Sequence, residues 1–170
     1  YLASVSGKTK LSVKYGNFKT ESVGDGSNFE LAYGNGTIAQ AQNAAVSLSY
    51  SKLTVTEAND LTVNSAYSGL NAPKLNSLTT TAKYDNYSLG TIKSQKATGM
   101  YSKFAATNAG SVNISGQYNS VSMGEISKSL DLDLNYGSCN VSFSKGLTNA
   151  SVRANYTDVT MKVLPDLCCY

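Results

Sequence analysis

Few residues of this 170-residue chain are equipped for chemistry, and they are spaced in a regular series. Asp131 and Asp133 stand two apart, so on an extended strand both carboxylates face the same way, as acid/base work or cation binding would need. There is no histidine anywhere, which removes the commonest general base and metal ligand. Arg153 is the only arginine, and the net charge of +3 comes from scattered lysines. Nucleic-acid readers concentrate Lys and Arg on one face, so a nucleic-acid partner is not expected. The three cysteines, Cys139, Cys168 and Cys169, are an odd number and cannot all pair within one chain. Cys139 is expected to be a small buried hydrophobe, and the adjacent pair at the end to cap the last repeat or to pair between chains. No cofactor, metal site or catalytic residue is expected.

The most regular series is aromatic. Tyrosines fall at Tyr15, Tyr33, Tyr50, Tyr67, Tyr84, Tyr101, Tyr118, Tyr136 and Tyr156, with a dominant spacing of 17 residues and units of 18 or 20 near the two ends. A small or polar residue follows each one, as in Tyr50-Ser51-Lys52-Leu53 and Tyr136-Gly137-Ser138-Cys139. Such a column is either an exposed platform that stacks on sugar rings or an inward structural ladder. Tyr33 lies two residues after Leu31 and Tyr50 two after Leu48, so period-two counting turns the rings inward with the core. The expectation is therefore the structural ladder, offset-stacked and adding ~0.5–1.5 kcal/mol per neighbouring pair.

The elements that position these residues are strands. Before each tyrosine, apolar and polar residues alternate, as in Val46-Ser47-Leu48 and Leu132-Asp133-Leu134. A second short strand follows, as in Leu53-Thr54-Val55. A third apolar point, at Val23, Ala58, Leu75, Ile92, Ala109 and Ile126, leads into turn residues such as Gly24-Asp25 and Asn59-Asp60. Strands this short cannot bury a face alone, but stacked coils can, each pairing in parallel with its equivalent at roughly 4.8 Å. The expected fold is all-β: one single-stranded parallel β-helix domain over 1–170, of about nine 17-residue coils, with repeats spanning about 11–163 and a cap at 164–170. Its right-handedness is taken from the general preference of parallel crossovers.

This register gives the acidic pair a non-chemical reading. Asp133 falls beside Arg153 of the next coil, and Asp131 shares a column with Asn113 and Lys96, so cross-strand pairing accounts for both carboxylates. An ice-binding array of Thr54, Thr56, Thr79 and Thr81 is not expected. The column through Thr81 starts at Glu30 and ends in Asp133 and Arg153, and charge at both ends spoils it.

Laid out in this way, the chain resembles the adhesin domains of unknown function in exported proteins of Bacteroidetes-type bacteria. The matching pieces are Val13-Lys14-Tyr15-Gly16-Asn17, Ser49-Tyr50-Ser51-Lys52-Leu53 and Leu134-Asn135-Tyr136-Gly137-Ser138. That resemblance implies a periplasmic or cell-surface, outer-membrane-associated protein with an adhesive or scaffolding role, no enzymatic activity, and a surface glycan or protein as partner. Bactofilins, bacterial cytoskeletal proteins that polymerise end to end, are also similar in coil length, which would imply a homo-oligomer through the end coils. Carbohydrate-cleaving β-helices form a third class, with longer coils and large loops. The largest excess here, Ser142 to Leu147, is only about three residues over the repeat. No apolar run approaches the roughly 20 residues of a spanning helix. Because the sequence opens at Tyr1 rather than Met, the absence of an export leader says nothing about location.

Overall fold

The computed structural model describes residues 4–163. Within them the chain forms ten strands and one continuous sheet, all pairs parallel. The first coils contain β1 (Lys10–Lys14), β2 (Asn17–Val23) and β3 (Ser27–Ala32). Then come β4 (Asn35–Ser49), β5 (Lys52–Ala66), β6 (Gly69–Lys83), β7 (Asn86–Met100), β8 (Lys103–Gln117), β9 (Ser120–Phe143) and β10 (Asn149–Val163). Each of β4 to β8 is one 15-residue strand bent around a whole coil, closed by a two-residue corner that begins with a tyrosine. The architecture is the expected β-solenoid of stacked coils. It differs in that the strand and its register continue through two of the three bends, where one or two residue pairs drop out of the ladder.

The burial of side chains explains why the repeat is an odd number. In the coil Tyr50–Ala66 the inward positions are Ser51, Leu53, Val55, Ala58, Leu61, Val63 and Ser65. Successive outward residues interrupt the alternation at Ser49-Tyr50, Thr56-Glu57 and Asn59-Asp60. An extended chain alternates, so each corner must break parity once if the same side is to stay inside. Three corners then leave three more outward than inward residues, and an odd total.

The longer units take up their extra residues at one place. In the first the chain turns through Gly24–Gly26, with Gly26 at φ 69°. In the second a register shift separates the pairs Ala109↔Ile126 and Ser111↔Ser129. In the third, residues 144–148 form a turn between β9 and β10. All three follow the third apolar point of the coil, so this corner accepts insertions while the tyrosine corner keeps its form. Cys168, Cys169 and the expected cap at 164–170 lie outside the described residues.

The core is a set of columns, one residue per coil. One runs Leu61, Leu78, Gln95, Val112, Leu130, all about 1–2% exposed. Neither polar atom of the Gln95 amide has a hydrogen-bond partner. A buried unpaired polar group costs about 1–3 kcal/mol. Gln95→Leu, matching its column neighbours, should therefore raise stability by about 1–3 kcal/mol in urea unfolding; a loss of stability would show that the amide is satisfied.

Candidate functional site

The tyrosine column is where the structure departs most from the expectation of inward rings. Tyr15, Tyr33, Tyr50, Tyr67, Tyr84, Tyr101, Tyr118, Tyr136 and Tyr156 are all exposed, the seven inner ones by 42–51% and the two end ones by 79% and 81%. Every one of them has a positive φ, between 48° and 59°. That is the left-handed region, which costs a non-glycine residue roughly 1–2 kcal/mol. Counting by twos through the corner assumed extended backbone. The left-handed residue instead turns its own side chain outward and sends the next one in. The tyrosine peptide stays in the ladder, since its N–H donates to the next coil, as Tyr50 N does to the Ala66 carbonyl at 3.0 Å.

The rings do form a stacked ladder, but on the outer surface and not the expected inner one. All eight neighbouring pairs stack, with centroids 4.6–5.2 Å apart and planes within 12° of parallel. The coil spacing sets the separation, so the ring offset is fixed by the backbone. Each inner ring therefore has both faces against its neighbours, and the surface presents ring edges and phenol hydroxyls. A sugar stacks on a free aromatic face, so the inner rings are not a sugar-stacking platform. Only Tyr15 and Tyr156 have a ladder neighbour on one side alone among the described residues.

Beneath the rings lies a second column that the sequence reading left unassigned: the residue after each tyrosine. Ser51, Ser68, Asp85, Ser102 and Asn119 are 2–8% exposed. Each links one coil to the next through its side chain. Gly34 N donates to Ser51 Oγ, Ser51 N to Ser68 Oγ, Ser68 N to Asp85 Oδ1, Asp85 N to Ser102 Oγ, and Ser102 N to Asn119 Oδ1. The distances run from 2.6 to 3.3 Å. The corner bends these N–H groups away from the sheet ladder, and the inner column satisfies them. The repeated pairing of Tyr with Ser, Asp, Asn or Gly was the signal in the sequence for this arrangement.

The interior around Asp85 is polar. Tyr87, 1% exposed, places its hydroxyl 2.6 Å from both Ser65 Oγ and Thr80 Oγ1. Ser65 Oγ donates to Asp85 Oδ2 at 2.7 Å, and Lys83 N donates to the same oxygen at 2.7 Å. Burial pushes the Asp85 carboxyl above its ordinary range, against the lowering effect of bonds from Ser65, Ser68 and Lys83. Burial also raises the Tyr87 phenol to about 12. The cluster is enclosed and contiguous with the core, as a packing device would be. Cys139 behaves as expected: it is a free, buried thiol whose burial raises its pKa to about 11, so it stays protonated at neutral pH.

The other sequence candidates sit outside. Asp133 and Arg153 occupy paired positions on β9 and β10. Asn113 Nδ2 donates to Asp131 Oδ2 at 3.1 Å, and Lys96 pairs in register with Asn113. The structure does not bring these carboxylates to the tyrosine corner. Among the described residues, no group of three or more His, Cys, Asp and Glu is gathered as a metal site would be.

Asn tolerates the left-handed region, so Tyr67→Asn and Tyr84→Asn remove rings without adding backbone strain. Their double-mutant cycle should return a coupling of about 0.5–1.5 kcal/mol, while the distant pair Tyr33 and Tyr84 should be additive; equal coupling in both cycles would mean that stacking contributes nothing. For Asp85, a folded pKa above the ordinary 3.8 means that its contribution to stability is present at low pH and is lost as pH rises through the folded value. The stability of Asp85→Asn relative to the parent should therefore increase between pH 4 and pH 7, followed by thermal unfolding. A difference that moves the opposite way would show that the hydrogen bonds outweigh burial.

No protein-family model, curated protein or solved structure matches this chain.

Proposed function

We propose that this protein is an exported cell-envelope solenoid that acts as an adhesion or scaffolding module, working by shape and surface repetition and not by catalysis. The observation that carries this reading is the outward tyrosine ladder. Nine large side chains are held at a spacing of one coil, on backbone in a strained conformation. Together they present one contiguous row of ring edges and phenol hydroxyls, and contiguous exposed aromatic patches of this kind accompany interaction surfaces. The corners beside them are two residues long and leave no loop to shelter a reaction centre. A rod on the order of 40 Å long with one identical feature per coil suits a repetitive partner, because weak contacts then add along its length. No helix among the described residues is long and apolar enough to cross a membrane.

A second reading is favoured by the ladder ends. Tyr15 and Tyr156 are nearly twice as exposed as the rings between them, and another coil stacked on either would continue the column. That arrangement would suit a structural protein that polymerises end to end.

Light scattering at micromolar concentration, with electron microscopy of the same sample, separates the two. The adhesion module should be a monodisperse monomer or small oligomer, visible as short rods. Ordered fibres one rod wide would overturn it in favour of the filament.

A further inference from the structure

Beside the rings runs a groove whose chemistry is narrower than the ladder alone suggests. One stretch is lined by Tyr33, Tyr50, Tyr67 and Lys52, and the next by Tyr67, Tyr84, Tyr101, Tyr118 and Lys103. The two share Tyr67, Ser68 and Asn86, so they adjoin as one shallow, open strip that crosses successive coils along the rod. Its aromatic wall offers ring edges and phenol hydroxyls, since the inner faces are covered. The other wall carries the amides of Asn35 and Asn86 and the ammonium groups of Lys52 and Lys103, all exposed. The one carboxylate in the lining, Asp85, is 5% exposed and its oxygens are engaged by Ser65, Ser68 and Lys83. What faces solvent along the strip is thus a row of amides and hydroxyls with two ammonium groups and no exposed anion.

The geometry points to an acidic linear polysaccharide as the occupant of this strip, its carboxylates paired with Lys52 and Lys103 and its oxygens accepting from the phenol hydroxyls. This assignment rests on the adhesion reading above and names the class of its ligand. Charge complementarity selects an anion, and the unbranched, shallow strip selects a chain that lies along it. On an extended peptide the side chains of one face recur about every 6.6 Å, so they cannot meet the phenol hydroxyls of successive coils at roughly 4.8 Å. Single-stranded nucleic acid binds by stacking bases on free aromatic faces, which the inner rings do not offer.

The probe is polygalacturonate, with dextran as the neutral polymer and poly-glutamate as the acidic peptide, each titrated calorimetrically against the whole chain. Binding of polygalacturonate is expected, weakened by added salt. Lys52→Glu with Lys103→Glu should weaken it at least tenfold, and Tyr67→Phe with Tyr84→Phe, which keeps the stack and removes two hydroxyls, several-fold. Lys96→Glu with Lys128→Glu, an equal change of charge on other exposed sites, should leave it within about twofold. Circular dichroism and melting confirm that each variant is folded. Equal loss in both lysine pairs, or tighter binding of poly-glutamate, would overturn the assignment by reducing it to diffuse charge attraction or by making the ligand a peptide. Binding of dextran in place of polygalacturonate would overturn the acidic class and leave the adhesion reading standing. Retention of none of the three, by a protein that forms fibres, would remove both.

Discussion

The strands of the described coils are constrained by the requirement that each coil hydrogen-bond to the next in register. A residue is paired with its counterpart about 17 positions away, so a side chain that suits one coil must suit its neighbour. That constraint turns the sequence into columns. Like side chains then meet across coils: apolar ones inside, amides outside, as where Asn76 donates to Asn59 and Asn59 to Gln42. The exposed pair Lys74 and Glu57, 2.6 Å apart, is the charged version of the same contact, and at the surface it contributes little. Stability comes from the buried columns and from the parallel ladder that holds them.

The tyrosine corner shows how the constraint is met where the backbone must turn sharply. Left-handed backbone costs energy at every ladder tyrosine, and for the inner seven the stacking of the ring on two neighbours returns a similar amount. The inner column satisfies the N–H groups that the turn exposes. Volume is balanced across this corner. Two residues before the tyrosine the column reads Leu31, Leu48, Ser65, Ala82, Gly99, Gly116, Leu134. Where it narrows, larger groups enter from the other side of the turn: Asp85 and Asn119 after the tyrosine, Tyr87 and Phe104 further on. Gly99 has room for nothing more, since a β-carbon there would lie 2.7 Å from the Phe104 ring. At Gly116 the backbone is at φ 139° and a β-carbon would lie 1.8 Å from the Gly99 carbonyl oxygen. The side chain of Asn119 occupies that space and donates to the same carbonyl at 2.8 Å. Where Leu134 restores the volume, the corner residue is again Gly137.

Most of the architecture was legible in the sequence because a solenoid repeats its own instructions. The spacing of the tyrosines marked the coils, and alternation such as Val46-Ser47-Leu48 marked the inward face. The third apolar points, Val23 to Ile126, are all buried as that pattern required. The orientation of the rings was not legible, because alternation carries through extended backbone and cannot report a left-handed residue within it. Nothing in a tyrosine announces that conformation, which a glycine or asparagine would have suggested. The inner polar column was missed for the same reason, since Ser51 and Asp85 count as outward once the tyrosine is counted as inward. The pairing of Asp133 with Arg153 was readable, because it depends on register alone.

Outward display of the ladder is the claim on which the functional reading stands, and chemical modification reads it directly. Tetranitromethane nitrates accessible phenols, and peptide mass mapping assigns the products. In the folded protein all nine ladder tyrosines should be nitrated, while Tyr87, enclosed with Ser65 and Thr80, should react only after unfolding. Protection of the seven inner ladder tyrosines to the same degree as Tyr87 would place the rings inside the solenoid and contradict the account.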